Sequence, residues 1–437
     1  MYRVLLLGDH AWRDVPALAT IKYHLKQRDI DAWIVDIHLF QQAVDLLHPH
    51  VVVINHMHDK DRNRIVDMVR RRGGLSVIMP TEGRPNTNAL IEWAVNGFPR
   101  ELCDLYLCWT DEIALRFPAD FNVRVVGAPR LDFYYPPLSK LVRPKIETCS
   151  LLGLDPNRPI LTVAGSWPNA KFADYSSDFM VKDWEKLGMT TIKRFENPLE
   201  FAKAEKARFE RFRAWLALVS TELPDWQIVV KPHPAENIYD WLQYCDRIGA
   251  KVMLTDYIFN LLEISDLHVG QVDCMTLPEA WCYGKPTLGV KLHDELDGPT
   301  LDAMLCTFWV TRPEEFVNNL KAIAPLDNTW KEVRSNYIHK WLSPNNNVYP
   351  NMTFGCHAVA EEIGDMLTNK KPTAWKEPTR EDYANLHKLL MEHSKQNAEP
   401  KADWIGQYSK AVRLEVTQEW ERKIEEVYNE HEVVEPY

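Results

Sequence analysis

Short runs of β-branched and aliphatic residues recur along this chain. Each is stopped by a glycine, a proline or a polar cluster, and a helix-length segment separates it from the next. Residues 2–7, 32–36, 51–55, 75–79, 105–109 and 123–126 read as strands, with helical periodicity over 15–27 and 62–71 between them. Strands joined through helices make βαβ units, which close into a parallel sheet covered on both faces. The pattern restarts at 160–164 and continues at 227–230, 251–254, 267–270 and the run after Pro286. Helices are expected over 199–223 and 257–264. The expected fold is therefore α/β, with two Rossmann-like, doubly wound parallel-sheet domains facing a cleft.

Two such units suit a length of 437 residues. The stiff segment Tyr134-Tyr135-Pro136-Pro137 marks the junction, which divides the chain into 1–140 and 155–345. Residues 346–437 read as a helical extension. In it, 356–367 is expected to pack on the sheets, and 381–395 and 416–428 are expected as amphipathic surface helices, solvated or in an oligomer contact. Residues 167–198 read as a long polar, irregular loop, a length that is usually functional or mobile.

A net charge of −11 argues against general nucleic-acid binding, which needs a basic face. The eight cysteines show no CxxC spacing, so neither zinc nor redox chemistry is indicated, and a reducing cytoplasm is expected. No apolar run is long enough for a signal peptide core or a membrane span. Peripheral association with a membrane stays open. The full GxGxxG fingerprint is absent after the first strand, which gives no support to a dinucleotide cofactor.

Candidate chemistry clusters at strand ends, where open α/β sheets bind ligands. Ile228-Val229-Val230 runs into Lys231-Pro232-His233-Pro234, so His233 is displayed between two prolines that fix their own φ, with the Lys231 charge beside it. That pairing suits a phosphate or pyrophosphate. The segment Cys274-Met275-Thr276-Leu277-Pro278-Glu279 reads as a polar loop entering a helix. Its first turn exposes N–H donors near Thr276, and Glu279 is either a dipole-compensating surface residue or a ligand for sugar hydroxyls. Glu82, in Thr81-Glu82-Gly83, ends the fourth strand next to a glycine that allows close backbone approach. Arg13 and Asp14 face the same crevice. His56 and His58 read as cleft-lining residues turned to opposite sides, and Arg130 and Asp132 as a structural ion pair at the domain junction. No DxD triplet stands at a strand end, so no metal site is indicated.

Two Rossmann-like halves, Val126-Gly127-Ala128-Pro129-Arg130-Leu131-Asp132, the Lys-Pro-His-Pro loop and Glu279-Ala280 followed by Gly284-Lys285-Pro286 together resemble the GT-B glycosyltransferases. Within that class residues 1–345 resemble bacterial surface-carbohydrate and capsule-biosynthesis proteins, including transferases that use CMP-activated Kdo or sialic-type sugars. The resemblance implies a nucleotide-sugar donor as co-substrate, no separate cofactor, and a saccharide or glycolipid acceptor. It implies that His233-Pro234 binds the donor phosphate, helped by Lys231, Thr276 and Glu279, and that Glu82 is the catalytic base. Thr81 stands where the family's acidic-acidic-Gly motif has its first acid. CDP-polyol phosphotransferases and UDP-sugar 2-epimerases share the architecture. A non-catalytic glycan-binding or assembly protein of this fold is the reading of another class.

Overall fold

A computed structural model describes residues 1–81, 95, 97–165, 167–174, 178–186, 189–191, 195–271, 274–292, 301–322, 328–343, 355–398 and 411–432. Two six-stranded sheets, every ladder parallel, form the two domains. The first contains β1 (Tyr2–Gly8), β2 (Ile30–Asp36), β3 (Val51–Ile54), β4 (Leu75–Ile78), β5 (Leu105–Cys108) and β6 (Val123–Val125), in the order β2-β1-β3-β4-β5-β6. The second contains β7 (Ile160–Ala164), β8 (Gln227–Lys231), β9 (Lys251–Val252), β10 (Leu267–Gln271), β11 (Thr287–Val290) and β12 (Phe308–Val310), in the order β12-β11-β10-β7-β8-β9.

The strand order reverses between β1 and β3 in one sheet and between β7 and β10 in the other. Such a reversal opens a crevice beyond the carboxyl ends of the strands, because the flanking helices leave on opposite faces. Strands β3 and β7 are buried at every position, as sheets covered on both sides require.

The carboxyl-terminal helices return to the first domain. Helix Gly355–Lys370 buries Cys356, Val359, Ala360 and Ile363 against helix Ala11–Lys26 rather than against a sheet. Helix Leu414–Glu432 lies on the same partner through Val416, Trp420, Ile424 and Val427. Helices Arg380–Gln396 and Leu414–Glu432 are amphipathic as expected, but their apolar stripes are used within the chain. Trp420 packs against Phe133 of the first half and Tyr257 and Phe259 of the second, and its indole N–H donates to the Tyr257 hydroxyl. One ring therefore touches both halves of the molecule.

The expected irregular stretch 167–198 contains a helix, Asp178–Lys186. Met180 and Trp184, one turn apart, join Phe172, Phe195 and Ala202 in a small satellite core. The surrounding serines, aspartates and asparagines hid that i, i+4 pair.

Candidate functional site

Strands β10, β7 and β8 are neighbours, so the loops that leave their carboxyl ends lie side by side. The β8 loop turns tightly, with Glu236 N donating to the His233 carbonyl at 2.9 Å. The Ala235 amide donates to His233 Nδ1 at 3.1 Å. A ring nitrogen that accepts an N–H carries no proton, so the neutral ring holds its hydrogen on Nε2. The two prolines restrict the backbone and Ala235 selects the tautomer.

Glu236 ties this loop to its neighbour. Its carboxylate accepts from His233 N at 3.1 Å, Trp241 Nε1 at 2.6 Å and Trp167 N at 2.5 Å. Trp167 belongs to the loop after β7, so a single carboxylate fastens two strand ends together. Trp167 folds back over Gly165, where a Cβ would come within 1.9 Å of the indole. Lys171, in the same loop, donates to the Ala235 carbonyl. Glu236 is 3% exposed, and burial pushes its carboxyl up to about 7 against these N–H donors and Lys171. Glu205, which accepts from Asn169 N at 3.0 Å, is likewise pushed up to about 7 by burial. Sequence reasoning missed both carboxylates. The available signal was an acid two residues after His-Pro, in a loop too short to leave it in solvent.

Lys231 differs from expectation. Its ammonium donates to the Asp256 carbonyl beside the Arg143–Asp256 ion pair at 2.6 Å, and burial pulls it down to about 8. Thr276 does begin a helix, Thr276–Cys282, but one of seven residues, with little macrodipole. What the structure gives at Thr276 is a hydroxyl 3.0 Å from His268 Nε2 and 3.0 Å from Cys274 Sγ. Gly270 admits this helix, because a Cβ there would come within 2.7 Å of the Leu277 side chain.

Glu279 is 1% exposed and is not a surface residue. Arg130 reaches it from the first half, with Nη2 2.5 Å from Oε1. Burial raises the Glu279 carboxyl and Arg130 opposes the rise. Glu279 Oε2 has no hydrogen-bond partner among the described residues, nor has the buried Tyr134 hydroxyl. The expected Arg130–Asp132 pair is replaced by two separate contacts: Asp132 accepts from Gly355 N at 3.0 Å and Cys356 N at 2.8 Å, capping the returning helix.

Glu82 lies outside the described residues. Thr81, just before it, offers its carbonyl to Arg130 at 3.4 Å, and Trp109 Nε1 donates to the Pro80 carbonyl at 3.0 Å. The chain leading into Glu82 therefore runs beside the Arg130–Glu279 contact between the domains. Arg13 lines a crevice there with Trp12, Arg130, Tyr134, Phe259 and Glu279. Asp14 instead organises the β1 loop, accepting from Asp9 N and His10 N at 3.0 Å and pairing with Arg13 at 2.6 Å. His56 and His58 lie on the same side, their rings stacked at 5.4 Å, because residues two apart in extended chain share a face. His56 meets Arg62 at 2.8 Å and His58 the Gly97 carbonyl at 2.7 Å. Among the described residues no cluster of three or more His, Cys, Asp or Glu could hold a metal ion.

Two doubly wound parallel domains whose strand ends converge on a shared crevice place the chain in the GT-B architecture. Particular solved structures of that shape are Staphylococcus aureus MnaA with UDP (12% identity, TM-score 0.50, 84% of this chain and 97% of that one) and the UDP-GlcNAc 2-epimerase of Neisseria meningitidis bound to UDP-GlcNAc (12%, 0.51, 84% and 100%). The wall teichoic acid polymerase TagF with CDPG is another (13%, 0.51, 84% and 88%). At these identities the likeness is one of fold. No protein-family model matches the sequence. No curated protein matches it either.

Proposed function

We propose that this chain is a glycosyltransferase that takes a sugar from a nucleotide donor, binding the donor's phosphate in the second-domain crevice. The observation that carries this reading is His233, held by Ala235 in the Nε2–H tautomer on a loop that Glu236 fastens to the end of β7. Negative charge grows on the departing phosphate in the transition state. A fixed N–H donor at that point stabilises the change without reorganising. Thr276 supplies a hydroxyl on the other side of β7. Glu279 Oε2, with no partner among the described residues, suits a donor hydroxyl, and Lys231 contributes charge through its neighbourhood rather than by contact.

On the acceptor side Glu82 takes the proton of the attacking hydroxyl, a step worth about 10²–10⁴-fold in rate. No metal is required, since the charge is met by N–H and O–H donors. The donor to test first is a CMP-activated Kdo or related nonulosonate, with a bacterial surface saccharide or glycolipid as acceptor. The chain would act in the cytoplasm, at the membrane's inner face if the acceptor is a lipid. No described helix is long and apolar enough to cross a membrane.

A CDP-polyol or UDP-sugar donor is the second reading, favoured by fold neighbours described with CDPG, UDP and UDP-GlcNAc. Thermal unfolding in CMP, CDP and UDP separates the two. A ligand at 100 times its Kd adds about 2.7 kcal/mol of stability. Stabilisation by CMP alone supports the nonulosonate donor, and stabilisation by CDP or UDP replaces it. Silence with all three at millimolar concentration overturns the transferase reading in favour of a non-catalytic glycan-binding protein. Glu82→Gln should abolish turnover and leave donor binding intact; retained turnover removes Glu82 from the mechanism.

A further inference from the structure

A line of buried polar side chains crosses the second sheet and ends at the crevice. Ser265 Oγ lies 2.7 Å from Thr162 Oγ1, which lies 2.9 Å from His268 Nδ1. His268 Nε2 lies 3.0 Å from Thr276 Oγ1, and Cys274 Sγ lies 3.0 Å from the same oxygen. Thr162 and His268 are register partners on β7 and β10, and both are fully buried. A polar chain through a core is costly unless every member is satisfied, so it asks for a reason.

We propose that His268 is a positioning residue for the donor phosphate: its Nε2–H donates to Thr276 Oγ1 and so turns the Thr276 hydroxyl proton outward, to an anionic oxygen in the crevice. The inference rests on the nucleotide-donor reading above and adds a residue to it.

The direction follows from hydrogen bookkeeping. A neutral imidazole has one N–H and one acceptor nitrogen. Burial pulls the ring down to about 3, so it stays neutral at any working pH. With Nε2 protonated, Ser265 donates to Thr162, Thr162 to Nδ1, and Nε2–H to Thr276. In the reverse order the buried Ser265 hydroxyl proton would have no acceptor among the described residues. Thr162's one other acceptor, the Leu267 carbonyl, stands at 3.5 Å, the limit for a hydrogen bond. Across the 3.0 Å contact either the Cys274 S–H or the Thr276 hydroxyl can donate, and a thiol sulfur is only a weak acceptor. With Nε2–H donating to Thr276 Oγ1, the hydroxyl proton cannot return to His268 and turns from the weak sulfur acceptor to a ligand that only accepts. Phosphate oxygens are such a ligand. The Thr276 and His233 loops leave the carboxyl ends of β10 and β8, the two strands that flank β7.

The test has two arms. Histidine ¹⁵N spectra of the full chain, with His268→Gln to assign the resonance, read the tautomer directly. Nε2–H between pH 5 and 9 is expected, and Nδ1–H overturns the proposal. In the second arm, calorimetric titration uses whichever of CMP, CDP and UDP the wild type binds, and the matching nucleoside. Thr276→Val and His268→Leu should each weaken the nucleotide roughly ten- to a hundredfold and leave the nucleoside unchanged. The double variant should be no weaker than Thr276→Val, because His268 acts through Thr276. His268→Gln, which can accept from Thr162 and donate to Thr276, should keep most of the affinity even if the leucine variant fails to fold. Losses that multiply in the double variant, or nucleoside binding that falls equally, contradict the relay while leaving the donor reading standing. A wild type that binds no nucleotide brings down both.

Discussion

Glu236 is where individual side chains decide the site. Its carboxylate receives three N–H donors, from Trp167, His233 and Trp241, so removing it strands all three in the interior. Each stranded group costs about 1–3 kcal/mol. Glu236→Ala should therefore lower unfolding stability by roughly 3 kcal/mol or more, read by urea titration, and should weaken nucleotide binding because the His233 loop loses its anchor. Unchanged stability would mean that water replaces the carboxylate at no cost. Glu205 and Glu236 also give the fold a pH signature. Both folded-state values are raised, to about 7, so the native state holds protons that the unfolded chain releases near the usual glutamate value. Their stabilisation is fully present below that value and is lost as pH rises through about 7. The midpoint of thermal unfolding should fall between pH 5 and pH 8, and Glu205→Gln should flatten the fall. His233 was legible in the sequence, because flanking prolines and a preceding apolar run are local signals. Glu236, Arg130 and His268 were not, since their roles depend on partners 69 to 149 residues away, a separation read from Trp167 to Glu236, Thr162 to His268 and Arg130 to Glu279.

The strands were legible because each is a compact apolar run, and their parallel direction follows from βαβ connectivity. The carboxyl-terminal helices were legible as helices but not as partners. An amphipathic stripe announces that something covers it and does not say what. Helix Ala11–Lys26 and the junction around Phe133, Tyr257 and Phe259 cover helices Gly355–Lys370 and Leu414–Glu432, and helix Phe40–Leu47 covers Arg380–Gln396. Trp420 is the point of greatest leverage, buried and in contact with both halves of the chain. Trp420→Ala should cost about 3–5 kcal/mol, seen as a lower unfolding midpoint, and should leave secondary structure intact by circular dichroism. A loss below 1 kcal/mol would show that the helix Leu414–Glu432 is not needed to hold the two halves together.

For the molecule as a whole, the Arg130–Glu279 pair spans the two domains at the crevice. Breaking a buried pair by removing one partner costs about 3–5 kcal/mol, because the other charge is left without compensation. Arg130→Ala should therefore loosen the contact between the two domains and increase the radius of gyration in small-angle scattering. Adding Glu279→Gln should recover part of the lost stability. No change in either quantity would mean that the remaining contacts alone set the domain geometry. This cross-domain pair escaped sequence reasoning, which placed Arg130 with its near neighbour Asp132, because proximity along the chain is the only distance a sequence shows.

Nucleotide binding in this molecule turns on His233 gripping a phosphate. Calorimetric titration of wild type and His233→Ala with the nucleotide that stabilises the fold tests it most directly. A loss of roughly tenfold or more in affinity for the nucleotide, with the nucleoside bound equally by both proteins, is the predicted result. Equal nucleotide affinity in the two proteins would contradict it.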